Sequence, residues 1–349
     1  MRELIIDENS AGQRLDRVLA KYMNKAPSSF FYKMMRKKNI TLNGKKCEGT
    51  ERVQPGDVVK LFLADETIDQ FREVKPIPGV NGSAGNRGTG AIVQVKKAPA
   101  EVKLNIVYED KDILLINKPA GMLSQKAQPE DVSLNEYMIS YLLSAGRITD
   151  AQLETFRPSV CNRLDRNTSG MVICGKSLRG AQEMAKLLKN RTLRKRYLCL
   201  VKGVLKGEQR IEGHLVKDEK TNQVTIHRTP VEGSVPIVTV YRNMLDNGQV
   251  TLLEVELITG KSHQIRAHLA SIGHEIIGDM KYGDTVMNKA FGERYGLRIQ
   301  LLHAWKLNFP NMSEEFARLS RKEYTANVPP IMKRVLTGEG LWLPGIQED

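Results

Sequence analysis

The segment richest in chemistry is Cys161-Asn162-Arg163-Leu164-Asp165-Arg166-Asn167-Thr168-Ser169-Gly170, which sets one carboxylate between two guanidiniums and closes on Thr-Ser-Gly ahead of a short apolar strand, Met171–Cys174. An Arg-Leu-Asp-Arg string alone describes an ordinary salt-bridged turn, and Arg14-Leu15-Asp16-Arg17 repeats it where the pattern reads as a solvated helix face. The second copy is set apart by its tail and by two segments downstream. Lys195-Arg196-Tyr197-Leu198-Cys199-Leu200-Val201-Lys202-Gly203 puts a tyrosine on a strand just after a basic helix end, and Thr259-Gly260-Lys261-Ser262-His263-Gln264-Ile265-Arg266 puts an arginine on a helix after a long strand. The three together offer an anion, an aromatic face with a phenol, and a fixed cation, although a strand tyrosine is as readily a core residue. His263, His268 and His274 invite a metal reading, but no Asp or Glu stands three or four residues from any of them and His-Glu-x-x-His is absent, so structural hydrogen bonding is expected and no metal.

The ordered segments Asn162–Gly170, Lys195–Gly203 and Thr259–Asp279 resemble the three motifs of the large-subunit-ribosomal-RNA type of pseudouridine synthases, and Asn117-Lys118-Pro119-Ala120-Gly121 resembles the strand-turn that opens that catalytic domain. The first 65 residues resemble the S-four-like RNA-binding domain often fused ahead of it, and the likeness spans roughly residues 12–63 and 104–310. The resemblance implies isomerisation of uridine within RNA. The N-glycosidic bond breaks, the uracil turns and rejoins through carbon five, and no cofactor or metal is required. It implies that Asp165 is the catalytic carboxylate, either attacking the anomeric carbon or stabilising an oxocarbenium-like centre, with Arg266 as its partner cation. Tyr197 becomes a stacking partner and possible proton acceptor. Arg163 becomes the residue that fills the space of an extruded nucleotide, since chemistry on a stacked base requires taking it out of the stack. Lys189, Arg191, Arg194, Lys195 and Arg196 become the lining of the approach for phosphates. Two places depart from the family pattern: Asn162 stands where His is usual, and Ser124-Gln125-Lys126 replaces the Val-His often found after the Lys-Pro-x-Gly turn. Asn keeps a donor and an acceptor but cannot titrate.

The whole chain agrees with a polyanionic partner. Its 349 residues carry 53 Lys and Arg against 40 Asp and Glu, a formal charge of +13, with 41% hydrophobic residues to build a core. No apolar run of 18 residues is present, and the N-terminal residues do not read as a secretory signal, which disfavours a membrane partner. Cys47, Cys161, Cys174 and Cys199 are scattered without a Cys-x-x-Cys, as in a reduced, cytoplasmic protein. Lys21–Lys46 holds eight basic residues and no acid, and Lys176–Lys206 holds ten with only Glu183 against them. Lys33, Arg36, Lys37, Lys38 and Lys45 are the candidate RNA-binding residues of the first run. Ribosomal RNA of the large subunit is the expected substrate, with transfer RNA the alternative. A non-catalytic RNA-binding or ribosome-assembly protein would need only the basic surfaces, not Asp165, Tyr197 and Arg266 in their motifs. A methyltransferase would need a Gly-rich loop where residues 104–121 give Lys-Pro-Ala-Gly, and a sugar glycosidase would need a paired-carboxylate signature.

These residues need a scaffold. Leu15, Val18, Leu19 and Tyr22 recur at one face of a helix, a second helix begins after Pro27, and Ile40–Leu42 with the turn Asn43-Gly44 opens a short antiparallel sheet. Residues 1–65 therefore read as a small α/β unit and 66–100 as a flexible linker, since 76–90 holds five glycines and two prolines and cannot build a core. Residues 101–335 mix strands and helices irregularly, so the expectation is α+β with a mixed, mainly antiparallel sheet flanked by helices, then a tail at 336–349. A helix is expected at Leu178–Leu188, strands at Ile113–Ile116, Arg196–Val201 and Val250–Ile258, and a helix capped by Ser262.

Overall fold

The computed structural model describes residues 1–73 and 103–347; most of the expected linker, including its Gly/Pro-rich core, lies outside them. In the first unit the order is β1 (Arg2–Ile5), α1 (Leu15–Tyr22), α2 (Ser28–Arg36), β2 (Ile40–Leu42), β3 (Lys45–Lys46), β4 (Val58–Leu61) and α3 (Asp65–Gln70). Its sheet runs β1-β4-β2-β3, with antiparallel pairings throughout. Helix α1 buries Leu15, Val18, Leu19 and Tyr22, the face its spacing predicts, and α2 buries Phe31 and Met35 while Lys33 and Arg36 stay in solvent. Asn43 and Gly44 both take positive φ, as a two-residue hairpin of this twist requires. Two elements lie outside the expected set: β1, an edge strand with only Leu4 buried, and α3. Ile68 of α3 is fully buried and Phe71 packs on the same core, so the first unit runs past residue 65 and the linker does not begin at 66.

The second unit contains β5 (Ile106–Glu109), β6 (Ile113–Lys118), α4 (Leu134–Ser144), α5 (Asp150–Leu153), β7 (Ser159–Val160), β8 (Ser169–Gly175), α6 (Leu178–Asn190), β9 (Arg194–Lys202) and β10 (Glu208–Asp218). It continues through β11 (Gln223–His227), β12 (Val235–Asp246), β13 (Val250–Leu257), α7 (Gln264–Ser271), α8 (Thr285–Tyr295), β14 (Leu302–Asn308), β15 (Glu323–Thr325) and α9 (Pro330–Gly338). An 11-stranded sheet runs β11-β10-β12-β13-β9-β14-β8-β6-β5, with β7 on β8 and β15 on β14. Every pairing is antiparallel except β14 with β8. This is the expected α+β, mainly antiparallel architecture.

Both faces of the central strands are covered, which is why they read as continuous apolar runs rather than alternating ones. Leu114, Val172, Cys199 and Val255 face α4 and α7, while Ile113, Ile173, Leu200 and Leu252 face the cores beneath α6, α8 and α9. Helix α6 is capped by Ser177, whose Oγ accepts the Gly180 N–H at 3.1 Å. The expected tail at 336–349 is not one. Leu336 ends the buried stripe of α9, Leu341 and Ile346 join the same core, and the Val328 N–H bonds the Gln347 carbonyl at 2.7 Å. The two units also meet: Ser10 Oγ lies 2.6 Å from Thr155 Oγ1, and Arg72 reaches Glu154 at 2.5 Å.

Where β14 runs parallel to β8, the backbones come unusually close. Gly170 takes φ +108°, and a Cβ there would lie 2.3 Å from the Ala304 carbonyl oxygen. The last letter of the Thr-Ser-Gly tail is thus fixed by strand packing directly behind the Asp165 turn. Gly170→Ala is expected to cost about 2–4 kcal/mol, because strained φ and backbone overlap combine. Gly121→Ala, with φ +87° but open space, should cost only about 1–2 kcal/mol. Chemical denaturation of both variants checks this, and equal losses would contradict it.

Candidate active site

Asp165 lies in the loop between β7 and β8, and that loop is held from several sides by buried polar groups. Leu164, just before it, is packed into the core, and its N–H donates to Ser124 Oγ at 3.0 Å while the Ser124 hydroxyl donates to the Leu164 carbonyl at 2.9 Å. Lys118, fully buried at the end of β6, donates to the carbonyls of Pro119, Met122 and Arg166 at 3.0, 2.8 and 3.1 Å. Burial pulls its ammonium down to about 7, and the nearby Asp165 charge opposes the fall. Gln300 donates to Thr168 Oγ1 at 3.2 Å, and Ser169 Oγ sits 2.9 Å from Nδ1 of the buried His303. Asn162 accepts the Ile173 N–H at 2.7 Å, so the residue that departs from the family's usual His is occupied in fixing the loop to β8.

Arg266 comes from α7 and joins two carboxylates. Its Nη1 donates to Asp165 Oδ2 at 2.8 Å, while Nε and Nη2 form a two-pronged pair with Asp279 at 2.6 and 2.9 Å. Asp279 is fully buried and Arg266 nearly so. Burial opposes ionisation of both, but their mutual hydrogen bonds outweigh it: the guanidinium is held above its ordinary value and the Asp279 carboxyl below its own. Asp279 also accepts the Lys281 and Tyr282 N–H groups, so the fork cannot swivel. Asp165 itself remains about a quarter exposed, with one oxygen taken by Arg266 and its carboxylate facing a cleft.

That cleft has a volume of about 970 Å³ and is lined on one side by the 163–168 loop and on another by the start of α7, with Tyr197 in its wall. Tyr197 is buried, and burial together with the Asp165 charge raises its phenol above the ordinary range, so it stays protonated. Among the described lining residues Asp165 is the sole carboxylate, against ten lysines and arginines. Arg163 is exposed on the cleft rim, and among the described residues no acid pairs with it.

The structure separates residues that stand together in the sequence. On β9, Lys195 and Tyr197 face the cleft, as do Lys189 and Arg191 from the end of α6. Arg194 and Arg196 project from the opposite face of the sheet, where Arg194 forks onto Glu256 at 2.9 and 2.7 Å and Arg196 lies 4.0 Å from Glu323. Their expected place on the phosphate approach is therefore corrected: strand alternation sends neighbours to opposite faces. Lys33, Arg36, Lys37, Lys38 and Lys45 are all exposed on the first unit. The cap of α7 is His263, in the left-handed region at φ 54°, and not Ser262. Sequence reasoning assigns no task to Lys118, Asp279, Gln300 or His303. Asp279 is within its reach, as an acid in a Gly-Asp turn beside the third motif; the other three act through backbone and hydroxyl partners that only the folded chain supplies. Among the described residues no three His, Cys, Asp or Glu side chains converge to hold a metal ion.

A family model described as RNA pseudouridylate synthase matches residues 112–271, the stretch that carries Lys118, Asp165, Tyr197 and Arg266. The chain belongs to the RNA pseudouridylate synthase family. It is 28% identical over 310 residues to ribosomal large subunit pseudouridine synthase D of Nitrosomonas europaea, covering 87% of this chain and 79% of that one. It is 27% identical over 339 residues to ribosomal large subunit pseudouridine synthase C of Vibrio parahaemolyticus, covering 95% of each. The solved structure of human RNA pseudouridylate synthase domain containing 4 shares the fold, with a TM-score of 0.55 at 21% identity over 69% of this chain and 95% of that one. The synthase isomerises uridine to pseudouridine in RNA, and the cleft is the place in it where one carboxylate meets a wall of cations.

Because Arg266 must satisfy two carboxylates at once, its planar fork is not replaceable by a point charge. Arg266→Lys is expected to destabilise the synthase by about 2–4 kcal/mol, by leaving part of the buried Asp279 charge unmatched. Urea denaturation checks it; a loss under about 0.5 kcal/mol, the range of ordinary surface changes, would mean that Asp279 does not depend on the fork.

Proposed function

We propose that this enzyme converts specific uridines of large-subunit ribosomal RNA, acting in the cytoplasm, and that Asp165 is its catalytic carboxylate. The observation that carries the catalytic assignment is the isolation of Asp165. Among the described lining residues it is the single carboxylate in a cleft of cations, held by Arg266 at 2.8 Å and open to a substrate. The choice of ribosomal over transfer RNA draws support from the names of the relatives and from the basic unit ahead of the catalytic domain.

In this reading the RNA backbone lies along Lys189, Arg191 and Lys195, and the target nucleotide turns out of its stack into the cleft. Arg163, exposed and without an acidic partner among the described residues, takes the vacated space. The uracil packs on the Tyr197 ring. Asp165 meets the anomeric carbon, as nucleophile or as counter-charge to an oxocarbenium-like centre, while Arg266 holds it in place. The uracil then rotates and rejoins through carbon five.

Asp165→Asn keeps the shape of the side chain and removes its charge. Release of the carbon-five hydrogen from labelled large-subunit ribosomal RNA is expected to vanish, while RNA affinity changes less than threefold. Turnover at a tenth of wild type would overturn the assignment. The same release from labelled transfer RNA, at a rate matching or exceeding that from ribosomal RNA, would overturn the choice of substrate.

The first unit supplies affinity rather than chemistry in this reading. Replacing both Lys33 and Lys37 by Ala in the full chain should lower the slope of log affinity against log salt by about 0.7–0.9 for each phosphate left unneutralised. The single-turnover rate at saturating RNA should be unchanged. An unaltered slope would mean that this face does not meet RNA.

A further inference from the structure

His263 reaches the same cleft by an unusual route. It enters α7 with φ 54°, in the left-handed region that few non-glycine residues occupy. Its Nε2 lies 3.8 Å from Asp165 Oδ2, beyond hydrogen-bond range yet beside the reacting centre. Its Nδ1 lies 2.9 Å from the Tyr282 hydroxyl. That hydroxyl oxygen already accepts the Val224 N–H at 2.9 Å, so its own proton is directed to Nδ1. Nδ1 is then an acceptor, and the neutral ring carries its hydrogen on Nε2, on the side of Asp165. Tyr282 is fixed in turn: its N–H bonds Asp279 at 3.1 Å, and its ring lies edge-on to His263 and 5.2 Å from the Arg266 guanidinium. One buried carboxylate, Asp279, therefore orients both Arg266 and the partner of His263. Burial holds the imidazole below its ordinary value, with Arg266 and Lys281 adding to that and Asp165 and Asp279 opposing it, so the ring is neutral at neutral pH.

When the bond between the anomeric carbon and N1 breaks, its electron pair leaves with the base. Negative charge spreads over N1, O2 and O4 of the uracil, and a fixed donor aimed at that charge lowers the barrier. With the anomeric carbon against Asp165, O2 is the carbonyl oxygen nearest the bond that breaks, and O4 lies across the ring. We infer that His263 is a further catalytic residue of this synthase. Its Nε2–H donates to O2 of the departing uracil and stabilises the anion until carbon five is presented, with Tyr282 as the positioning residue that fixes the tautomer. The balance is complete without another reactant: the pair on the uracil forms the new bond through carbon five, that carbon loses its proton to water, and N1 takes one from water.

This inference rests on the isomerase reading, and wild-type turnover tests that reading separately. The experiment uses the full-length enzyme and a short RNA containing a uridine that mapping has shown it to modify, made with either oxygen or sulfur at position two of that base. On the oxygen substrate His263→Ala is expected to slow the single-turnover rate about 100-fold, with RNA affinity changed less than threefold. His263→Gln, which keeps an N–H donor, should recover at least tenfold of that loss. Sulfur accepts the hydrogen bond poorly, so wild type should slow on the thio substrate and His263→Ala should slow little further. Tyr282→Phe should show a smaller loss on the oxygen substrate that likewise shrinks on the sulfur one. Equal His263→Ala losses on both substrates would overturn the assignment to O2. A loss confined to RNA affinity would reduce His263 to a binding residue. Absence of turnover by wild type would defeat the isomerase reading instead.

Discussion

The site depends on one arginine that cannot satisfy either of its carboxylates without holding the other. Arg266 spends its Nε and Nη2 on the buried Asp279 and presents its Nη1 to Asp165. A buried carboxylate without that fork would be an unmatched charge, costing about 3–5 kcal/mol when a partner is lost. The position of the cleft-facing carboxylate is thus tied to the stability of the domain, because both hang on one planar group carried by α7. Helix α7 is in turn locked by Ile265 and Leu269 in the main core.

The loop that carries Asp165 shows the same economy. It has no regular secondary structure, yet its backbone is tied through Ser124, Lys118, Gln300 and the pair formed by Ser169 and His303. These anchors come from segments that are close in space and far apart in sequence. They give a loop the rigidity of a strand while leaving the carboxylate uncovered. The cost is concentrated in groups such as Lys118, whose burial is tolerated because three carbonyls accept from its ammonium.

Charge is sorted on a larger scale by the same geometry. In the cleft Lys189, Arg191 and Lys195 form no ion pair among the described residues, whereas on the back of β9 the arginines are matched by Glu256 and Glu323. A net charge of +13 would favour RNA anywhere on the surface. Pairing the basic residues that face away leaves the unpaired ones to define where a polyanion docks.

The chemistry-bearing residues and the architecture that carries them are legible in the chain before it folds. Asp165, Tyr197 and Arg266 stand in ordered segments whose resemblance to the family's motifs singles them out, and the apolar spacing of α1, β6 and β13 follows from burial rules that act locally. Domain edges are less legible. A single buried Ile68 attaches α3 to the first unit, and Leu341 and Ile346 turn an expected tail into core, because one apolar residue in a polar stretch has no period to reveal it. Which neighbours act together is settled by the folded chain. Alternation along β9 sends Lys195 to the cleft and Arg194 and Arg196 behind it. Asp279 becomes the hub of the site because the chain returns it beneath Arg266, and His263 leaves the set of merely structural histidines because a left-handed turn points it at Asp165. Those outcomes depend on distances of a few ångströms between segments up to about a hundred residues apart, as Asp165 and Arg266 are, and no local pattern encodes them.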